Sequence, residues 1–172
     1  MKTESELLDS LARYCSQAER CVDDVRKKIK SAALTGDRTV DMETPANDAE
    51  KWIIGRLIAE KFIDERRFCR SFVNDKLKFN RWGRIKIGHE LKKKNIKPEI
   101  YSEAIDSIEE DEYISILSDL LKSKKRSIKG RSAQDVSRKL YRFASSRGFE
   151  SSLIIKTLKD IFGNIDCENY YE

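Results

Sequence analysis

Residues 63–96, IDERRFCRSFVNDKLKFNRWGRIKIGHELKKKNI, decide the fold of this chain. In the first half, Phe68, Phe72, Val73 and Leu77 recur at steps of four and five, the spacing of a helical stripe. Asn80-Arg81-Trp82-Gly83 then interrupts the pattern. A second helix is predicted from Arg84, with Ile87 and Leu91 inward. At about 100° per residue, Lys86, His89, Glu90 and Lys93 fall on the opposite, wet side. Asn95 closes this helix, because asparagine tolerates the left-handed backbone just past a helix C-terminus.

The same run is strongly basic. Residues 64–98 hold 12 Lys or Arg and 4 Asp or Glu, a local net of +8. Residues 99–119 follow with no base and eight acids, and residues 120–148 net +9. A solvated helix surface is the plainer account of any one charge run. The return of the block about one repeat later argues for a binding surface. The acidic block between them can pair with the basic ones or mark a separate face.

Outward from this run the chain stays helical. Leu7, Leu8, Leu11, Tyr14 and Cys15 mark a first helix. Ser16-Gln17-Ala18-Glu19 has the form of a capping box. It predicts the start of a second helix with Ala18, Val22, Val25, Ile29 and Ala32 inward and Gly36 at its end. Residues 35–47, TGDRTVDMETPAN, are non-periodic and read as an exposed loop. Thr44 with Pro45 predicts the start of a third helix, striped by Ile53, Ile54, Leu57, Ile58 and Phe62. Past the central run, Lys97-Pro98-Glu99 opens a helix that buries Ile100, Tyr101, Ala104, Ile105 and Ile108. The acids at 109–112 suit a helix N-terminus, and Tyr113, Ile116, Leu117, Leu120 and Leu121 follow as its stripe. LKSKKRSIKGRS, residues 121–132, reads as a basic linker. Ser132 caps the next helix, with Val136, Leu140, Phe143 and Ala144 inward and Gly148 past its end. The last helix carries Leu153, Ile154, Thr157, Leu158, Ile161 and Phe162, and the remainder is a polar tail.

These helices repeat. A shift of 53 residues lays Ile87 on Leu140, Leu91 on Ala144, Asn95 on Gly148, Ile96 on Phe149 and Ala104 on Thr157. In the first unit, a shift of 58 lays Val25 on Gly83 and Ile29 on Ile87. No period-two run suggests a strand. The expected fold is all-α, an elongated array of three tandem three-helix repeats at 1–63, 64–108 and 109–162, with a polar tail at 163–172. One such unit has too little core to stand alone, so neighbours should support one another.

Catalytic and metal signatures are missing from the sequence. Cys15, Cys21, Cys69 and Cys167 include no Cys-x-x-Cys pair, and His89 is the single histidine. No Gly-rich phosphate loop, Gly-x-Ser-x-Gly or His-Glu-x-x-His occurs. The expectation is a protein that is not an enzyme and has no metal and no cofactor. No apolar run is long enough to cross a membrane, and MKTESELLDS lacks a signal-peptide core. A cytoplasmic monomer is expected.

Two binding classes remain. Basic grooves would hold nucleic acid, whose attraction for cations is long-ranged and salt-sensitive. Phe79 or Trp82 would stack on bases if exposed, although packing is the plainer use of both rings. Alternatively, the array is a protein-interaction module lying against a larger assembly. From charge alone, the candidate contacts are Arg70, Lys76, Lys78, Arg81, Arg84, Lys86, Lys92, Lys93 and Lys94 in the first block. In the second they are Lys124, Lys125, Arg126, Arg131, Lys139 and Arg142. Lys86 and Lys93, seven apart on one wet helix face and aided by Lys92, are the leading candidates.

Particular residues also resemble a family. Ile63-Asp64-Glu65-x-Arg67-Phe68, Ser71-Phe72-Val73, Lys76, Gly83-x-x-x-Ile87, Glu90-Leu91 and Lys94-Asn95-Ile96 resemble RecX, the regulators of the RecA recombinase. Arg138-Lys139-Leu140 and Arg147-Gly148-Phe149 extend the match, which covers roughly residues 12–162. Family members often carry Gly where this chain has Asn95 and Leu where it has Ala144; both replacements are compatible with the fold. The resemblance implies a curved array of three-helix repeats that binds in the groove of the RecA–DNA filament. It implies modulation, usually inhibition, of ATPase, recombinase and coprotease activities in DNA repair and the SOS response. It implies no catalytic residue. DNA contact would be of low sequence specificity, on single or double strands. The competing expectation is a helical nucleic-acid-binding protein that acts on DNA without a recombinase.

Overall fold

The computed structural model describes residues 4–34 and 46–163, and all regular structure among them is helical. The helices are α1 (Glu4–Gln17), α2 (Val22–Leu34), α3 (Ala46–Ala59), α4 (Glu65–Lys78), α5 (Arg84–Lys93), α6 (Pro98–Asp106), α7 (Glu110–Ser127), α8 (Ala133–Ser146) and α9 (Ser151–Phe162). They follow one another in three sets of three, as the all-α repeat expectation requires. The chain divides into two compact units, residues 1–71 with 92–100, and residues 72–91 with 101–172.

In the first unit, α3 packs on both α1 and α2. Leu7, Leu11 and Cys15 of α1, Val25 of α2, and Ile53, Ile54 and Leu57 of α3 form one apolar core with Ile63. The start of α2 differs from the sequence expectation. Ser16 donates its hydroxyl to the Ala12 carbonyl at 2.9 Å and so continues the last turn of α1. The helix begins at Val22 instead, and the Cys21 amide donates to the Asp24 carboxylate at 3.4 Å. Asp24 thereby performs the reach-back half of a capping box five residues later than expected. Residues 35–45, with Gly36, Thr44 and Pro45, lie outside the described residues; Ala46 and Asn47 belong to α3, not to a loop. Residues 164–172, including Cys167, also lie outside them.

In the second unit, α7, α8 and α9 pack on one another in all three pairs. Leu117, Leu121, Leu140, Ala144, Ile154 and Leu158 are fully buried there. Ser132 caps α8 as expected, accepting a hydrogen bond from the Asp135 amide at 3.1 Å. The basic linker is shorter than the sequence suggests. Helix α7 runs on through Lys122, Lys124, Lys125 and Arg126 to Ser127. Lysine and arginine are good helix formers, and their charge suits a helix C-terminus.

The repeat register holds in burial and in backbone. Ile87 and Leu140 are fully buried, as are Leu91 and Ala144, and Ala104 and Thr157 match at 4% and 5% exposed. Asn95 and Gly148, paired by the same shift, both take left-handed backbone, with φ of 58° and 85°. The first repeat aligns differently. Val25 donates to the Cys21 carbonyl as Ile87 donates to that of Gly83, and both side chains are fully buried. The structure therefore equates Val25 with Ile87, rather than with Gly83, because α2 starts late.

Within the second unit, the first turn of α5 docks on the turn that ends α8. The Gly83 amide donates to the Arg147 carbonyl at 2.8 Å, and Ile85 donates to Gly148 at 3.1 Å. The Arg84 amide donates to the Tyr113 hydroxyl at 3.0 Å. Three amides that a helix start leaves without helical partners are thus satisfied by other elements.

Candidate functional site

The predicted contact cations fall into distinct classes according to their partners. Four are neutralised inside their own unit. In the first unit, the Lys94 ammonium lies 2.6 Å from the Asp24 carboxylate and 5.6 Å from the Phe68 ring centre. Burial opposes ionisation of Asp24, but the hydrogen bond and charge of Lys94, together with the hydrogen bonds from Cys21, outweigh it and hold the carboxyl below its ordinary 3.8. In the second unit, Lys78 pairs with Glu112 at 3.0 Å and Lys139 with Asp135 at 3.0 Å. Arg84 is the most committed. Its guanidinium stacks 4.1 Å from the centre of the Tyr113 ring, pairs with Glu110 at 2.7 Å and reaches Glu150 at 3.6 Å.

The Arg84 network centres on a buried phenol. Tyr113 is fully buried, donates to Glu150 at 2.6 Å and packs 5.2 Å from the Phe149 ring. Burial first, then the Glu150 bond, holds that phenol far above its usual titration range. Within this unit the acidic block pairs with the first basic block, through Glu110 on Arg84 and Glu112 on Lys78.

A second class has no carboxylate partner among the described residues, and its members lie on aromatic rings. The Lys76 ammonium sits 5.1 Å, and the Lys86 ammonium 4.6 Å, from the centre of the half-buried Trp82 ring. Lys76 also lies 5.3 Å from Phe72. Lys124 lies 5.2 Å from Phe143, and Lys125 lies 4.0 Å from Phe162. A cation over a ring keeps its full charge while its position is restricted. Arg81 takes left-handed backbone, φ 54°, in the turn between α4 and α5.

The remaining candidates are placed by exposure. Arg70, Lys92 and Lys93 are exposed in the first unit, and Arg126, Arg131 and Arg142 in the second. Ile87 and Leu91 are buried and His89 is exposed, as the helical wheel predicts. Lys125 and Arg126 line an open cleft with Lys122, Asp160 and Ile161. Lys122 adds a cation that charge patterning alone does not single out. Its spacing of three and four from Lys125 and Arg126 would have placed it on their face had the segment been read as helix. Phe79, weighed for stacking but given packing as its plainer use, is 80% exposed. Among the described residues, no group of three His, Cys, Asp or Glu is placed to hold a metal ion. No helix among them is long and apolar enough to cross a membrane.

Comparison with known proteins assigns the fold and the lineage. The family model for the second three-helix domain of RecX matches residues 64–105, and that for the third matches residues 110–158. The chain belongs to the RecX family. A regulatory protein RecX of Clostridium botulinum (strain Eklund 17B / Type B) is 27% identical over 146 residues, 83% of this chain and 66% of the relative. The RecX of Clostridium beijerinckii is 24% identical over 179 residues, 99% of this chain and 82% of the relative. The chain thus spans just under two thirds of the first relative's length. A crystal structure of regulatory protein RecX superposes with a TM-score of 0.76 at 19% identity, covering 91% of this chain and 73% of that one. RecX from Lactobacillus salivarius gives 0.72 at 18% identity, with 92% and 96% covered. RecX is a regulatory family, and its three-helix domains correspond to the α4–α6 and α7–α9 sets here.

Proposed function

We propose that this protein regulates the RecA recombinase, binding the RecA–DNA filament in the cytoplasm and modulating its ATPase, strand-exchange and coprotease activities in DNA repair and the SOS response. The observation that carries this reading is membership of the regulatory RecX family over both central and C-terminal three-helix domains. The cations held on aromatic rings support it, since they keep their charge for an anionic partner. Three-helix units at 1–63, 64–108 and 109–162 would act together, each adding a moderate contact. The protein itself carries out no catalysis in this proposal; it acts as a monomer by occupying the filament. The test is RecA filament ATPase measured with and without the protein across a range of salt. Inhibition that weakens with salt supports the reading, and an unchanged ATPase at every salt concentration rejects it.

A second reading is direct action on DNA without a recombinase. It is favoured by the position of Lys76 and Lys86 on Trp82, which suits phosphate as well as protein carboxylate. Binding to RecA in the absence of DNA would count against it.

A further inference from the structure

We propose that the turn between α4 and α5 is a binding site for single-stranded nucleic acid, in which Phe79 stacks on one unpaired base and Lys76, Arg81 and Lys86 hold the flanking phosphates. This deepens the nucleic-acid contact weighed above at Lys76 and Lys86 by adding the stacking ring and the preference for single strands, and it rests on the regulatory reading only for its biological setting.

The argument begins with exposure. Single exposed apolar residues are common and need no explanation by themselves. Phe79 differs because its 80% exposed ring stands on a rigid turn. Its amide donates to the Asp75 carbonyl at 2.9 Å, and the Trp82 amide returns to Lys76 at 3.0 Å. Arg147 clamps the turn from α8, donating to the Asn80 carbonyl at 2.7 Å and accepting from the Gly83 amide at 2.8 Å. The ring is therefore presented on a fixed backbone, and a ligand loses little freedom of the turn on binding.

Charge supplies the second observation. Lys76 and Lys86 lie on the Trp82 ring three residues further on, with no carboxylate partner among the described residues. Arg81 sits between Phe79 and Trp82 in sequence, and its left-handed backbone fixes the turn there. An exposed aromatic ring on the same turn as unneutralised cations is the combination that binds single strands, where bases stack and phosphates pair. In a duplex, neighbouring bases already cover both faces of each base, so Phe79 has nothing to stack on. The amides of Gly83, Arg84 and Ile85 are taken by Arg147, Tyr113 and Gly148, so these three are not left for an anion.

The test uses the full-length protein, fluorescein-labelled oligothymidine, the same strand without bases, and a duplex. Phe79→Ala should weaken oligothymidine binding about tenfold, the range of one base stacked on an aromatic ring. Phe79→Leu should lose as much, because it keeps apolar bulk but has no π face, and Phe79→Trp should restore binding. Wild type and Phe79→Ala should bind the baseless strand equally. Lys86→Gln should lower the salt slope by about one without altering the Phe79 effect. The side chain is exposed, so these variants fold. If Phe79→Ala or Phe79→Leu binds oligothymidine as wild type does, the proposal is overturned. If Phe79→Leu keeps both strand binding and filament inhibition while Phe79→Ala loses only inhibition, Phe79 is a protein anchor and the proposal is likewise overturned. A wild-type protein that binds oligothymidine through Phe79 but leaves RecA ATPase unchanged would reject the regulatory reading alone.

Discussion

Gly83 and Gly148 meet main chain to main chain. The Ile85 amide donates to the Gly148 carbonyl at 3.1 Å, and a Cβ on Gly83 would collide with that same carbonyl group. Gly148 adds a left-handed φ of 85°, and a Cβ there would collide with Lys86. Gly83→Ala should therefore lower stability by about 2 kcal/mol or more, since neither neighbour is the free end of a side chain. Gly55 is the control: it lies inside α3 with nothing near its missing Cβ. Gly55→Ala should stabilise by about 0.5–1 kcal/mol through helix propensity. Urea unfolding of the two variants measures both, and equal shifts would contradict the dock.

Tyr113→Phe removes one hydroxyl from a fully buried site where it donates to Glu150 and accepts from the Arg84 amide. The ring and its packing on Phe149 remain. The expected loss is about 1–3 kcal/mol, because a carboxylate and an amide both lose a partner. Thermal unfolding checks this, and a change within about 0.5 kcal/mol, typical of surface sites, would place the network outside the cooperative core.

Acid should act on the first unit through Asp24. Its folded value lies below the ordinary 3.8, so the unfolded chain binds the proton more readily. The stabilisation is present above the ordinary value and is lost as pH falls through the lowered one. Lys94→Met removes the main cause of the lowering. It should reduce stability at neutral pH and flatten the acid limb in urea titrations carried out over that window. An unchanged acid limb would remove Asp24 from the account.

The sorting of cations predicts which ones matter to binding. Lys86→Glu and Arg126→Glu should weaken filament inhibition strongly and flatten its salt dependence. Lys139→Ala should have a much smaller effect, because Asp135 already neutralises it. Filament ATPase titrations across salt distinguish the classes, and equal effects would show that internal pairing does not decide availability.

Cys21 and Cys69 are fully buried, and burial pushes both thiols up to about 11. Thiolate is the reactive form, so both should resist a thiol reagent at neutral pH. A Cys167→Ser variant tested by mass spectrometry should show these two sites unmodified until the protein is unfolded.

Much of this was legible in the chain, and the misses have physical causes. The pairing of Asn95 with Gly148 could be read because a left-handed turn restricts residue type, and periodic burial could be read because a helix repeats. The Ser16–Glu19 capping box misled because serine late in a helix can bond back to its own turn, as Ser16 does to Ala12. The basic stretch after Leu121 resembled a linker by composition, although its lysines and arginine extend α7. The candidate site was least legible. Whether a cation is spent depends on acids far away in sequence, such as Glu110 for Arg84 and Asp24 for Lys94, and no local spacing reports that.

The joint at Gly83 has a consequence for descent. It is built from carbonyls and amides, which every residue except proline supplies, and it requires the absence of two side chains rather than the presence of any. Drift can rewrite the flanking residues without dismantling the connection. A lineage assembled with such joints can diverge widely in its letters while its members still inherit one architecture.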